Sequence, residues 1–76
     1  MPTKYIKTKD NQIIVFSSAI KHIEFAHFKP ISAGFIHFFY DNGSVDCICE
    51  GMSMSLDLKA DKDDARIAKL QLLSNL

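Results

Sequence analysis

Hydrophobic and polar positions alternate most clearly between Ile31 and Leu58, where the chain reads as three consecutive antiparallel strands. Asn42-Gly43 lies between two apolar runs, and a two-residue type I′ turn needs positive φ at both centres, which Asn and Gly tolerate best. Residues 35–40 are therefore expected to fold back on residues 45–50. Tyr40 then faces Val45, Phe38 faces Cys47 and Ile36 faces Cys49, which makes one face wholly apolar and assigns it to the core. The opposite face sets Phe35, His37 and Phe39 against Ser44, Asp46, Ile48 and Glu50. A three-residue loop with a bulge at Gly43 would instead bring Phe35, His37 and Phe39 beside Val45, Cys47 and Cys49. The first register is preferred because it leaves no acidic residue on the core face. Beyond a turn at Glu50-Gly51, Met52, Met54, Leu56 and Leu58 alternate with Ser53, Ser55 and Asp57 as a half-buried strand does.

Upstream, Tyr5-Ile6-Lys7 and Ile13-Ile14-Val15-Phe16 predict a second hairpin through Asp10-Asn11. Ser17 and Ser18 can cap a short helix running to about Ala26, with Ile20 and Ile23 inward and Lys21 and Glu24 outward. Pro30 ends it and pushes the preceding residue toward extended backbone. The last element is predicted as a helix capped by Asp61, with Asp63 and Asp64 complementing the positive end of its dipole. At about 100° per residue, Ala65, Ala68, Leu72 and Leu76 form one stripe, and Ile67, Leu70 and Leu73 a second. A helix in so small a protein packs only one side on its own sheet, so the second stripe is expected to meet another molecule, most simply a second copy.

Length narrows the picture. A chain of 76 residues is one domain, residues 1–76, and at this size folding removes only about 60% of the surface the unfolded chain exposes. Disulfides, metals or a partner subunit commonly supply the missing stability. Cys47 and Cys49, the only two cysteines, are i and i+2 on one strand, roughly 6.5–7 Å apart at Cα and at the limit for bridging. Two reduced thiols fit a cytoplasmic protein, and no signal peptide, apolar run of about 18 residues or lipidation motif points to a membrane. Nine basic residues balance nine acidic ones, whereas a nucleic-acid binder carries a basic excess on one face. Lys4, Lys7 and Lys9 read as a solvated edge strand.

Candidate chemistry is thin. His22, His27, His37, Cys47 and Cys49 lack the closely spaced ligand pairs of a zinc site, and on a helix His22 and His27 diverge by roughly 140°. Nucleophilic catalysis would pair Cys47 or Cys49 with His37 and Asp46, but in the preferred register His37 lies on the opposite face from both thiols. Gly34, Gly43 and Gly51 are isolated and build no phosphate loop. Asp57, Asp61, Asp63 and Asp64 lack the alternating ligands and central glycine of a calcium loop and are read as capping residues. No metal, cofactor or catalytic residue is assigned, and the protein is read as non-enzymatic. The aromatic set Phe35, His37 and Phe39 differs in lying on a half-polar sheet face. Together with the helix residues Ile67, Leu70 and Leu73 it offers more apolar surface than one small core hides, and these six are the expected interface.

Lys4-Tyr5-Ile6-Lys7-Thr8 with Ile13-Ile14-Val15-Phe16, then Ser32-Ala33-Gly34-Phe35, then Ser55-Leu56-Asp57-Leu58-Lys59 resemble segments of short bacterial proteins, some carried on phages and other mobile elements. The resemblance spans most of the chain and brings no catalytic or ligand motif. It implies a protein that binds and alters a host protein. The expectation is thus an α+β domain in the order ββαβββα, an antiparallel sheet of about five strands with the C-terminal helix on one face. It is expected to act as a homodimeric regulator or inhibitor of a host protein. A small-ligand binder with a pocket lined by Met52, Met54 and Phe38, between sheet and helix or at a dimer seam, is the alternative.

Overall fold

The structure is a computed structural model and describes residues 3–73. It is an α+β domain built on one four-stranded antiparallel sheet in the spatial order β2-β1-β3-β4. The strands are β1 (Thr3–Thr8), β2 (Ile13–Phe16), β3 (Pro30–Asp41) and β4 (Ser44–Glu50). Asn42 and Gly43 have φ of 51° and 83°, so the type I′ turn forms. The preferred register holds, with Ile36 opposite Cys49, Phe38 opposite Cys47 and Tyr40 opposite Val45. The first hairpin forms too, pairing Tyr5 with Val15 and Lys7 with Ile13.

Both faces of the sheet are covered, in three layers. Tyr5, Ile13, Ile36 and Cys47 point to one face and pack under helix α1 (Asp64–Ala68), whose Ala68 is fully buried. Ile6, Phe16 and Ala33 point to the other and meet Phe25, Leu56 and Leu58. Period-two alternation along β1 thus feeds two cores at once.

The segment expected as a helix from Ser17 to Ala26 is a turn followed by a 3-10 helix, His22–Phe28. The Ser17 hydroxyl accepts the Ala19 N–H, and this local turn competes with a helical start. A 3-10 helix has three residues per turn, so His22, Phe25 and Phe28 share one ridge. Phe25 stacks on Phe16 at 4.1 Å, and His22 meets Phe16 edge-on at 5.4 Å. These rings take the inner side, and Ile20 and Ile23, expected inward, are exposed.

The expected fifth strand is a two-stranded ribbon, β5 (Met52–Ser53) with β6 (Leu58–Lys59). Turn chemistry overrides alternation here: the Ser53 hydroxyl accepts the Leu56 N–H at 3.3 Å, and Asp57 takes φ 55°. Leu56 and Leu58 reach the core, whereas Met54 is 86% exposed.

The C-terminal helix is short, and Lys69–Leu73 continues it as one π-helical turn. The wider i→i+5 turn changes the phase of the side chains. Ile67 and Leu73, expected on an outer stripe, both pack against the core. Leu72, expected inward, is exposed, and Leu76 lies outside the described residues. Gln71 closes the β2 edge like a strand residue: its Oε1 accepts the Ile13 N–H at 2.8 Å and its Nε2 donates to the Asn11 carbonyl.

Gly34 is where the ribbon crosses the sheet, and a Cβ there would sit 2.5 Å from the Glu50 carbonyl oxygen and 3.4 Å from Ala60 Cβ. Backbone cannot yield as a side chain does. Gly34→Ala is expected to cost about 1–3 kcal/mol in a urea titration, the range for overpacking.

Candidate functional site

The exposed end of the β3–β4 hairpin is the most unusual surface of the molecule. Described pairing between β1 and β3 ends at Thr3 with Ile36, while the β3–β4 ladder continues to Asp41 with Ser44. The two-strand arm so formed extends over the five residues 37–41 of β3, or roughly 17 Å. It carries Phe38, Phe39 and Tyr40 in succession, alternately on the two faces, with exposures of 43%, 41% and 82%. Ile48, across from His37, is 46% exposed. The helical segment, Asp64–Leu73, lies along β4, with Lys69 on Asp46 and Leu73 beside Val45, and leaves Phe38 and Tyr40 uncovered on β3.

The expected interface residues divide. Phe35 is half-buried against His22, edge-on at 5.8 Å. His37 is half-exposed, its Nε2 3.4 Å from Glu50 Oε1. Phe39 and Leu70 are exposed, and Ile67 and Leu73 belong to the protein's own core. Phe38 and Tyr40 were assigned to the core by their face; the helical segment, whose placement alternation does not reveal, leaves them outside.

Lys7 overturns the reading of the N-terminal lysines as a solvated edge. β1 is an inner strand, and Lys7 is 3% exposed. Its ammonium lies 2.7 Å from Oδ1 of Asp64, which is fully buried in the first turn of α1. The Tyr5 hydroxyl donates to the other carboxylate oxygen, Oδ2, which also accepts the Asp61 N–H at 2.9 Å. Burial pushes the Asp64 carboxyl upward, but Lys7, Tyr5, the Asp61 amide and Ser32 outweigh it and hold its pKa below the ordinary value. Burial, and then the hydrogen bond to Asp64, push the Tyr5 phenol up. Three spaced residues on two distant segments make this centre, and no local motif announces it.

The thiols are poor nucleophiles. Burial, the neighbouring Cys47 and Asp64 push the Cys49 pKa up to about 12. Burial and Asp46 raise that of Cys47, whose Sγ donates to the Ala65 carbonyl at 3.7 Å. His37 lies on the other face of the hairpin, as its register requires. Among the described residues no three His, Cys, Asp or Glu side chains gather as metal ligands. No described helix is long and apolar enough to cross a membrane.

Concave surfaces lie elsewhere than Met52, Met54 and Phe38. One of about 450 Å³ lies between the arm and the helical segment, with Asp41, Val45, Lys69 and Leu73 in its wall. Another, of about 520 Å³, borders the ribbon at Ser32, Leu58 and Ala60. A third, of about 420 Å³, lies under the β1–β2 turn between Ile13, Ile14 and Phe28. Comparison with protein-family models, curated proteins and solved structures finds no match to this chain.

Two measurements follow from the buried groups. Asp64 is depressed in the folded state, so its contribution is full above the unfolded carboxylate value of about 3.9 and is lost as pH falls through the lower folded value. Urea stability should therefore fall between about pH 5 and 2, and the fall should flatten in Asp64→Asn, which starts about 3–5 kcal/mol lower at pH 7. For the thiols, alkylation of native protein at pH 8 should follow the rate of global opening and become fast only in denaturant; rapid native labelling of either cysteine contradicts this assignment.

Proposed function

We propose that the protein is a small non-enzymatic protein-interaction module, a homodimer acting in the cytoplasm as a regulator or inhibitor of a host protein. The run Phe38-Phe39-Tyr40 on the arm carries this reading, because three successive exposed aromatics supply what interface hot spots use. Closed sheet edges support it. Gln71 occupies β2, and on β4 the Asp46 carboxylate accepts the Cys47 N–H at 2.7 Å and meets Lys69 at 2.6 Å. Association then falls to faces and tip rather than to strand addition. Raised thiol pKa values and a histidine on the other face support a non-enzymatic role. The resemblance to mobile-element proteins suits a host-protein target.

A small-ligand binder is the second reading, supported by the concave site at Ile13, Ile14 and Phe28, whose volume of about 420 Å³ suits a metabolite. Thermal-shift screening against nucleotides and metabolites separates the two.

Tyr40 tests the first reading because its replacement leaves the core untouched. Tyr40→Ala with Phe39→Ala should retain the far-ultraviolet spectrum and weaken capture of the host partner about thirtyfold, the loss of one hot spot. Undiminished capture by the variant would place the binding surface elsewhere.

A further inference from the structure

The tip of the arm holds a chemically labile pair that its own turn restrains. In an asparagine followed by glycine the next backbone nitrogen attacks the side-chain amide readily, because glycine sets no side chain in the way. Nothing else obstructs the reaction at Asn42-Gly43. Both residues are exposed, and a Cβ built on Gly43 would meet nothing within 4 Å. Among the described residues neither the Asn42 side chain nor the Gly43 N–H makes a hydrogen bond. Asn11-Gln12 provides the contrast: the attacking nitrogen would be that of Gln12, a residue with a long side chain, and its N–H is donated to Thr8 Oγ1 at 3.3 Å.

The type I′ conformation holds the reaction back. With φ of 51° and 83° at its two centres, the turn has ψ of about 30° at Asn42. Cβ is offset by about 120° at a tetrahedral carbon, so the Gly43 nitrogen lies roughly 150° from Cβ about the Cα–C bond, almost anti to it. A five-membered ring needs the two nearly eclipsed, so the turn must open before the ring closes. Opening is local here. Beyond Ile36 the described pairing leaves β3 with β4 alone, and a two-stranded ribbon is only marginally stable in water. We propose that Asn42 is a site of spontaneous deamidation whose rate is set by opening of the arm tip and not by unfolding of the domain.

In the reaction the Gly43 nitrogen loses its proton to solvent base and bonds to Asn42 Cγ, the side-chain Cγ–N bond breaks, and ammonia leaves with a proton returned by solvent. One water then opens the succinimide at either carbonyl. Attack at Cγ restores the ordinary peptide link and leaves an aspartate, which this turn accepts. Attack at the backbone carbonyl routes the chain through Cβ and Cγ, adding a backbone atom to a two-residue loop whose length fixes the register. The first product adds a carboxylate beside Asp41; the second removes the turn that sets Tyr40 opposite Val45. Any effect on binding rests on the arm being the interaction surface, whereas the chemistry does not.

Peptide mapping by mass spectrometry tests this on protein aged at mildly alkaline pH, with and without urea. Asn42 should convert in native protein while Asn11 does not, about ten- to a hundredfold more slowly than in the unfolded chain. Its native rate should rise only shallowly with sub-denaturing urea, because opening the tip exposes little surface. A native rate equal to the unfolded one would mean that the turn gives no protection. One that climbs with urea as steeply as the unfolded fraction would assign the reaction to global unfolding. Either result overturns the inference, as would an Asn42 that stays intact for as long as Asn11. Loss of host-partner capture in the aged protein but not in Asn42→Asp would tie the isomerised turn to binding. Conversion that leaves capture undiminished would keep the modification site and remove the arm tip from the interface.

Discussion

A carboxylate with no access to water organises this fold. Asp64 is completely buried, and an ionised side chain in that position must be matched by charge and hydrogen bonds or it costs several kcal/mol. Its partners come from two ends of the chain, Tyr5 and Lys7 on β1 and the Asp61 amide at the start of α1. That requirement sets where the helix begins, which of its sides turns inward and how it lies over β1. Apolar contacts of Ala68, Ile67 and Leu73 then fill the space the polar centre has fixed.

The same short helical segment reaches both sheet edges. Gln71 at β2 and Lys69 at β4, the latter through Asp46, are two residues apart in a π-helical turn, and each blunts an edge that would otherwise template another strand. For a chain with four-residue β2 of sequence Ile-Ile-Val-Phe, that is a defence against edge-to-edge aggregation.

Legibility in the sequence followed the range of the interactions. The hairpin at Asn42-Gly43 was readable to the residue, because turn geometry and alternation are local and agree. Residues 52–58 were misread because alternation agreed with a strand while Ser53, Ser55 and Asp57 built a turn. The 3-10 helix hid because its spacing, His22, Phe25 and Phe28, is also half of an α-helical pattern. Lys7 was legible only as charge. Whether a lysine lies at an edge or within a sheet depends on β3 returning to pair with β1 on the far side from β2, and no residue near Lys7 encodes that. The face of Phe38 and Tyr40 was read correctly; its burial was not, since burial depends on where a distant helix lies.

That last distinction carries the functional argument. Side-chain direction follows from a strand's own register, but cover comes from other elements, and here it ends partway along β3. The apolar positions beyond that limit keep the alternation of a core without one to enter. A polar residue at Tyr40 would cost the fold little, since that side chain is 82% exposed. Aromatics stand on both faces of the arm, while Asp46, Lys69 and Gln71 lie at the edges. On the proposed reading, such a distribution would direct association to the faces and away from the backbone, favouring a specific partner over indiscriminate strand pairing.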